Sequence, residues 1–409
     1  MTPPACLSGL AVVFRRLGPY HWARLRAASE RQALLAIELT ADTTEYGWDR
    51  LTDEPPFRRV TLFPAGASRQ ASAGELRRRI ASALNRHRPK AVAIPGWSDR
   101  GALAALGWCL SNRTPAILMS ESTAWDEPRT GWKEWVKRRI VAMCSAGLVG
   151  GKPHVDYLAA LGMPRDRIFT GYDVVDVEYF ARKTEEVSRQ RSEVRGKHGL
   201  PDRYFLASAR FIEKKNLSRL IHAYARYRKL ATDLRSPPSD LWHLVLLGDG
   251  PLKPDLGRLI SDLGLRDFVL LPGFQQYPAL PFYYGLAGAF IHASTTEQWG
   301  LVVNEAMASG LPVLVSQRCG CAPDLVVEGR NGFTFDPLNV EQLASLMQRL
   351  SSGGCDRAAW GQASRDIIAP WAPEAFARGL LEAVQASLSG APPRASLLNR
   401  LLLCVLWLR

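Results

Sequence analysis

The chain has 409 residues, of which 47% are hydrophobic and 22% are charged, and its formal net charge is +13. The length favours two domains, and the composition is typical of a soluble globular protein. Residues 1–10 lack the basic start of a secretory signal peptide, and no apolar run approaches the roughly 20 residues that a membrane span needs. The seven cysteines show no metal-ligand or disulfide-framework spacing. We therefore expect a cytoplasmic protein.

The positive charge is concentrated in the first half of the chain. The run from Arg58 to Lys90 is strongly basic, and Glu75 is its single acidic residue. Such a run predicts an anionic partner, which could be a membrane surface, a phosphorylated acceptor or nucleic acid. A solvated helix face explains the run equally well. Aromatic residues are not interleaved with these cations, so single-stranded nucleic acid is disfavoured.

Strand and helix patterns alternate along the first half, which predicts a parallel sheet covered by helices. Apolar runs bounded by turn residues predict strands at 10–14, 34–39, 91–95, 116–119 and 146–149. Amphipathic periods predict helices at 20–29, 75–86, 102–111 and 132–143.

The alternation stops between 181 and 202, where charged and small polar residues dominate. We interpret 186–202 as a linker between an N-terminal domain at 1–185 and a second domain at 203–372. The second domain is predicted to have strands at 204–209, 242–247, 268–271, 289–293 and 312–315, with helices at 217–230, 253–263 and 340–350. A helix at 373–388 and an apolar tail at 401–408, which could dock on lipid or on the protein itself, complete the chain.

In the first half, four residues that follow predicted strands are candidates for ligand contact. Gly18 and His21 follow the first strand, Glu121 follows 116–119, and His154 follows 146–149. Gly18 would allow close approach of a diphosphate, and the other three are candidate contacts for an acceptor or a donor sugar. A plain turn with a histidine at the start of a helix is the alternative for Gly18 and His21.

The predicted helix at 132–143 carries Trp132, Trp135, Val136 and Ile140 on one stripe. This pattern is typical of a helix that lies in a membrane interface. An amphipathic helix that packs on the core has the same pattern, and the core-packing interpretation is favoured.

Arg210 and Lys215 follow the strand at 204–209. Two cations beside a diphosphate stabilise the negative charge that accumulates as a glycosidic bond breaks. Taken alone, two surface cations in a charged loop would explain them better. Gly248 and the pair Gly273-Phe274 follow the next two strands, where the backbone could approach a nucleotide; an ordinary turn is the alternative for Gly248.

The most informative segment runs from Glu297 to Ala308. Glu297 follows the strand at 289–293, and Glu305 lies one to two turns inside the next helix. Open α/β sheets bind ligands at the carboxyl ends of their strands. Carboxylates suit sugar and ribose hydroxyls, and the backbone N–H groups of Gly300 and Leu301 can face an anion. The segment therefore predicts a nucleotide-sugar site and favours the phosphate role for Arg210 and Lys215.

These motifs together resemble the retaining glycosyltransferases of the GT-B fold, family 4. The matching residues are Glu297-x7-Glu305, Arg210 with Lys215, the turn Gly248-Asp249-Gly250-Pro251 and the loop at 329–333. The likeness is strong from about 200 to 340 and diffuse before. Asp173-Val174-Val175-Asp176 resembles the family's Asn-Gly-Val-Asp segment with its first two residues changed. Ser120-Glu121 stands where many members carry a histidine.

The resemblance implies an α/β protein of the GT-B fold, with two Rossmann-like parallel-sheet domains facing a central cleft. The helix at 373–388 would cross back to the N-terminal domain, so that 373–409 forms a separate C-terminal segment. Glu305 would bind the ribose, Glu297 the donor sugar, and Arg210 and Lys215 the diphosphate. Backbone groups of Gln298, Trp299, Gly300 and Leu301 would contact the sugar and phosphate. No metal and no cofactor is expected beyond the nucleotide-diphosphate sugar.

We therefore expect a retaining, metal-independent hexosyltransferase that moves a sugar from a nucleotide-diphosphate donor to a hydroxyl acceptor, in polysaccharide, glycolipid or other glycoconjugate synthesis. The acceptor could be lipid-linked and the protein peripheral on the inner, anionic face of a membrane; nucleic acid is not expected as a partner. One alternative is a GT-B sugar-nucleotide epimerase. The other is a non-catalytic protein whose basic half binds nucleic acid or a membrane surface.

Overall fold

The computed structural model describes residues 9–41, 47–51, 54–65, 72–233 and 241–408. Arg69, one cation of the basic run, lies outside the described residues. The chain divides into two compact units: unit 1 comprises Met1–Val175 and Pro373–Arg409, and unit 2 comprises Asp176–Ala372.

Unit 1 is built on a parallel sheet whose described strands number seven, in the order β3-β2-β1-β4-β5-β6-β7. Two of its inner strands, at Leu10–Phe14 and Ala116–Ser120, are short runs with every residue buried, as expected for a parallel sheet covered on both faces. The strands are β1 (Leu10–Phe14), β2 (Leu34–Thr40), β3 (Arg58–Phe63), β4 (Ala91–Pro95), β5 (Ala116–Ser120), β6 (Ala146–Val149) and β7 (Ile168–Thr170).

Two helices of unit 1 begin at residues whose side chains cap them. The Ser72 and Asp99 side chains accept hydrogen bonds from the first turns of α2 and α3, which satisfies N–H groups that lack helical partners. The described helices are α1 (Pro19–Ser29), α2 (Ala73–His87), α3 (Arg100–Asn112), α4 (Gly131–Val141), α5 (Lys152–Ala160), α15 (Pro373–Leu388) and α16 (Leu397–Leu408). Helix α15 packs on α1, β6 and β7.

Unit 2 contains a second parallel sheet, in which the described strands follow the order β10-β9-β8-β11-β12-β13. Its strands are β8 (Tyr204–Ser208), β9 (His243–Leu247), β10 (Val269–Gly273), β11 (Ala289–His292), β12 (Val313–Ser316) and β13 (Gly332–Phe335). The described helices are α6 (Val177–Arg189), α7 (Arg191–His198), α8 (Leu217–Asp233), α9 (Lys253–Asp262), α10 (Leu280–Leu286), α11 (Leu301–Ala308), α12 (Ala322–Leu325), α13 (Val340–Ser351) and α14 (Arg357–Ile368).

The two parallel sheets with covering helices confirm the predicted α/β class. The sequence patterns do not predict strand β3, because it begins with Arg58 and Arg59. It lies at the edge of the sheet, and only its last two residues are buried. Arg59 is held there by two hydrogen bonds to Glu38 on β2, at 2.7 and 3.1 Å. A charged strand of this kind lacks the continuous apolar run by which the sequence predicts the others.

The segment predicted as a linker is helical and belongs to unit 2. Helices α6 and α7 cover 177–189 and 191–198, and the division from unit 1 falls after Val175. Phe180, Thr184 and Val187 form the buried side of α6, which packs on α10 and α11. Three buried positions among charged residues are enough for a surface helix, although they leave little apolar periodicity in the sequence.

Candidate functional site

In each sheet the strand order reverses beside its first strand. In unit 2 the chain runs outward from β8 through β9 to β10, and then returns to β11 on the other side of β8. The loops after β8 and β11 therefore leave the sheet on either side of the point where the strand order reverses. Open α/β sheets bind ligands at such a switch point. Arg210 and Lys215 lie in the loop after β8, and Glu297 lies in the loop after β11.

Lys215 and Glu297 meet at this switch point. The Lys215 ammonium contacts Glu297 Oε2, and each side chain is 12% exposed. The two loops are also joined through their backbones, since the N–H of Thr295 donates to the carbonyl of Lys214 at 2.9 Å. Asn216 adopts a left-handed conformation, and its amide donates to the carbonyls of Ala293 and Pro337. The Lys215 turn is thereby held against the end of β11.

His292 and Ser294 complete the surroundings of the Glu297 carboxylate. His292 Nε2 and Ser294 Oγ each lie 3.3 Å from Glu297 Oε2. Both residues are buried, at 2% and 0% exposure. Neither belongs to the predicted set, because a histidine at the end of an otherwise apolar strand is indistinguishable from a core residue in the sequence pattern.

The electrostatics of this cluster favour a charged carboxylate beside a neutral imidazole. Burial opposes ionisation of Glu297, but the hydrogen bond with His292 and the charge of Lys215 outweigh it and hold the pKa of Glu297 well below its ordinary value. Burial lowers the pKa of His292, and Lys215 acts in the same direction, whereas Glu297 opposes both. At neutral pH the site therefore holds an ionised Glu297 in contact with the Lys215 side chain.

The turn after Glu297 brings the backbone to the cluster. Gly300 caps α11 with φ at +106°, a conformation that favours glycine. A Cβ on Gly300 would lie 3.5 Å from His292 Nε2 and 3.6 Å from Glu297 Cγ. The first N–H groups of α11, beginning at Leu301, therefore start beside the carboxylate. The side chain of Trp299 points into unit 2, where its indole N–H donates to Asn304 at 2.9 Å and its ring lies 4.9 Å from that of Trp371.

Glu305 lies in the second turn of α11 and is fully buried. The hydroxyl of Tyr284 on α10 donates to Glu305 Oε2 at 2.7 Å. Burial, together with the Glu305 charge, raises the pKa of Tyr284 well above its usual value, so the phenol remains the donor. Tyr277 stacks on Tyr179, with 5.1 Å between the two ring centres. Burial raises the pKa of Tyr277 well above its ordinary value, and the charge of Glu305 raises it further.

Arg210 is exposed, and its loop is packed against the glycine turn after β9. Gly248 has φ at +138°, and a Cβ there would lie 1.9 Å from the carbonyl oxygen of Ala209. The N–H of Phe211 donates to the carbonyl of Asp249 at 2.8 Å. Gly248 therefore lets two neighbouring loops approach so closely that the Arg210 loop is positioned by backbone contact.

Replacing Gly248 with Ala is expected to lower the free energy of unfolding by about 2–3 kcal/mol, because a strained backbone conformation and a clash with Ala209 combine. The matched control is Gly264→Ala: Gly264 also has a left-handed φ, +67°, but nothing lies within 4 Å of its would-be Cβ. That control should cost only about 1 kcal/mol. Urea unfolding measures both, and equal losses would contradict the close-packing role of Gly248.

Gly273 ends β10 and Phe274 follows it. They lie next to the Gly248 turn, where the N–H of Gly248 donates to the carbonyl of Gly273 at 3.1 Å. Gly273 has φ at +83°, and Phe274 is 42% exposed. The loops of β8, β9 and β10 thus form one continuous rim with the Lys215 and Glu297 pair at its inner end.

In unit 1 the two candidate histidines cap their own helices. His21 Nδ1 accepts from the N–H of Gly18, and His154 Nδ1 accepts from the N–H of Gly151, each at 3.2 Å. Burial and the charge of Arg24 lower the pKa of His21 to about 3. His154 is 1% exposed. Gly18 has φ at −110°, so its backbone does not require glycine.

Glu121 is half-buried beside Asp173, which the sequence singles out only as a changed family position. Burial and the Glu121 carboxylate raise the pKa of Asp173 well above its ordinary value, and Arg24 opposes them. Arg24 lies 3.9 Å from Asp173 and donates to the carbonyl of Val174 at 3.1 Å. A carboxyl pair beside a buried arginine thus lies at the carboxyl edge of the first sheet. Sequence spacing could not reveal it, because its members are far apart in the chain.

Within the described ranges, no group of three or more His, Cys, Asp or Glu side chains is arranged to hold a metal ion. Likewise, none of the helices described above combines the length and the apolar character needed to cross a bilayer.

The match to a known protein family lies in unit 2. Residues 190–367 match the family model of the glycosyl transferases group 1. The chain is 30% identical over 169 residues to alpha-D-kanosaminyltransferase of Streptomyces kanamyceticus, covering 41% of this chain and 42% of that protein. It is 32% identical over 157 residues to alpha-monoglucosyldiacylglycerol synthase of Acholeplasma laidlawii, covering 38% and 37%. The chain thus spans less than half the length of these curated relatives.

The structural likeness extends over both units. HepE of Anabaena, solved in complex with UDP, matches with a TM-score of 0.68 at 16% identity, covering 92% of this chain and 99% of that one. This likeness confirms the predicted GT-B fold class, with two Rossmann-like parallel-sheet units.

Proposed function

We propose that this protein is a glycosyltransferase that moves a sugar from a nucleotide-diphosphate donor to a hydroxyl acceptor, with retention of configuration and without a metal ion. The observation that carries the proposal is the contact between Lys215 and Glu297 at the switch point of unit 2. It lies inside the region that matches the group 1 glycosyl transferase model.

In the proposed reaction the bond between the anomeric carbon and the β-phosphate oxygen breaks, and its electron pair goes to the diphosphate. Lys215 and Arg210 stabilise that developing charge, with the first N–H groups of α11 as further donors. The acceptor oxygen bonds to the anomeric carbon from the same face, and a phosphate oxygen takes its proton. This accounts for a site with a neutral His292 and an ionised Glu297 but no dedicated base near pH 7.

Glu297 is proposed to accept hydrogen bonds from the hydroxyls of the donor sugar. Its low pKa keeps it an acceptor at neutral pH, and Lys215 holds it beside the diphosphate position. Gly248, Gly273 and Phe274 form the rim on which the base is proposed to lie. Glu305 is proposed to bind the ribose; because it is buried in this structure, a neighbouring side chain must move aside for the hydroxyls to reach it.

His21, Glu121 and His154 of unit 1 are proposed as contacts for the acceptor or the donor sugar, and Gly18 is proposed to allow close approach of the donor diphosphate. A glycolipid or polysaccharide acceptor is proposed because one relative makes alpha-monoglucosyldiacylglycerol, and a cytoplasmic, peripheral location follows from such an acceptor. The HepE complex contains UDP, so a uridine donor is the first to test.

A thermal-shift screen with UDP, GDP, ADP and their sugars tests the donor. We expect one nucleoside diphosphate to raise the melting temperature. The shift should be smaller in the Lys215→Ala variant, because a free diphosphate carries the full negative charge that Lys215 is proposed to stabilise as the donor bond breaks. The matching nucleotide sugar should then release its diphosphate only when an acceptor hydroxyl is present. Release without any acceptor, with an isomerised sugar as product, would instead identify the epimerase alternative. Absence of a shift with every nucleotide would contradict the proposal.

A further inference from the structure

Unit 1 carries an exposed apolar surface on the helix layer formed by α2, α3, α16 and α4. Helix α16 packs on α3 and α4, and α2 packs on α3. All four contribute to one core cluster on the same face of the sheet. The outer side of α16 and the start of α4 form the exposed apolar surface of this layer.

Helix α16 is apolar on both its inner and its outer side. Leu403 is buried, and Leu406 packs on the same core. The opposite side carries Leu397, Leu401 and Val405, which are 76%, 56% and 53% exposed. A surface helix of a soluble protein normally has polar residues there. These three exposed side chains therefore neither pack in the core of unit 1 nor give it a polar surface.

Helix α4 adds two large aromatic side chains to this surface. Trp132 and Trp135 are 58% and 42% exposed, whereas Lys137, Ile140 and Val141 are buried. The favoured core-packing interpretation holds for Val136 and Ile140, which pack in the core of unit 1, but it is wrong for the two tryptophans, which are exposed. The inward side of α4 is centred on Lys137, which donates to Glu127 and Tyr157 at 2.7 and 3.1 Å, and this leaves the tryptophans facing outward.

Positive charge surrounds the apolar side chains. The Arg139 guanidinium lies 5.2 Å from the centre of the Trp135 ring, and Arg138, Arg394 and Arg400 are exposed. No acidic residue follows Glu382 in the sequence. Glu134, the acidic residue of α4, is bonded to Tyr157 and Lys137. Farther along the same layer, α2 exposes cations of the basic run, among them Arg77, Arg78 and Arg86.

We propose that this surface, formed by α4 and α16, docks on a bilayer of anionic phospholipids. Leucine and valine would enter the acyl boundary, the tryptophans would lie at the level of the head groups, and the arginines would pair with lipid phosphates. The carboxylates of Glu127 and Glu134 beside α4 are both bonded to Lys137. The remaining excess of exposed cations argues for this partner over an apolar protein surface. The inference goes beyond the proposed sugar transfer and does not depend on it, because binding to lipid needs no turnover.

Co-sedimentation with vesicles tests the inference. We expect the wild type to sediment with vesicles of phosphatidylcholine and phosphatidylglycerol, and much less with phosphatidylcholine alone or at high salt. Trp132→Ser combined with Leu401→Ser should weaken binding by about tenfold or more, because each side chain loses its apolar burial. Arg138→Glu combined with Arg400→Glu should weaken binding to the anionic vesicles to a similar extent, about tenfold.

The matched control is Leu338→Ser, since Leu338 is about equally exposed, at 61%, but belongs to unit 2 and to neither helix of this surface; its binding should equal that of the wild type. All the changed side chains are exposed, and circular dichroism verifies that the variants fold. A wild type that binds no vesicle, or a Trp132/Leu401 variant that binds like the wild type, overturns the proposal. So does a wild type that dimerises in sedimentation velocity through these residues without binding lipid.

Discussion

Replacing Lys215 with Ala is expected to lower kcat by about 10²–10³-fold, the usual cost of removing one donor that stabilises charge in a transition state. Lys215 contacts Glu297 at the switch point and is held there by the loop contacts of Asn216 and Thr295. Its charge matters most when the diphosphate leaves, so the loss should fall on kcat more than on KM. Steady-state kinetics with the donor found in the thermal-shift screen measures it.

The control for this change is Lys214→Ala. Lys214 belongs to the same short turn, and it contributes its backbone carbonyl to Thr295, which the substitution preserves. If general positive potential were what mattered, both variants would lose activity alike. A loss confined to Lys215 supports the specific role, and a fully active Lys215→Ala enzyme removes Lys215 from the mechanism.

Replacing Glu305 with Gln is expected to raise the KM for the donor by about ten- to a hundredfold, because a hydrogen bond to a charged group contributes about 1.5–3 kcal/mol. The ribose does not react, so its contact is made equally in the ground and transition states, and kcat should change little. Glutamine preserves the volume and leaves an oxygen for Tyr284, whose hydroxyl lies 2.7 Å from Glu305 in the wild type. Titration with the nucleoside diphosphate measures the affinity directly.

Tyr284→Phe separates the role of the carboxylate from that of its support. It removes a buried hydroxyl that donates to Glu305 but leaves the negative charge in place, so stability should fall by about 1.5–3 kcal/mol while donor affinity falls less than in Glu305→Gln. An unchanged KM in Glu305→Gln, with the protein folded, would exclude the ribose contact.

The sequence reveals those features that depend on neighbours along the chain. Alternating apolar runs predict most strands within one or two residues, because a buried parallel strand is apolar on both faces. Glu297 and Glu305 can be recognised in the sequence because a single turn and the start of one helix fix the spacing between them. The same rule explains the omissions: β3 begins with arginines, and α6 has few apolar positions among its charges.

What the residue pattern specifies, then, is the set of strands, helices and turns, including the glycine at 300 and the cations after β8. Which loops meet depends on the order of strands in the sheet, and that order is set by pairings between residues far apart in the chain. The approach of Lys215 to Glu297, the burial of His292 beside them and the pairing of Asp173 with Glu121 all arise in this way. The outward direction of Trp132 and Trp135 was likewise settled by packing, because the core on the other side of α4 was already filled by Ile140, Val141 and the stem of Lys137.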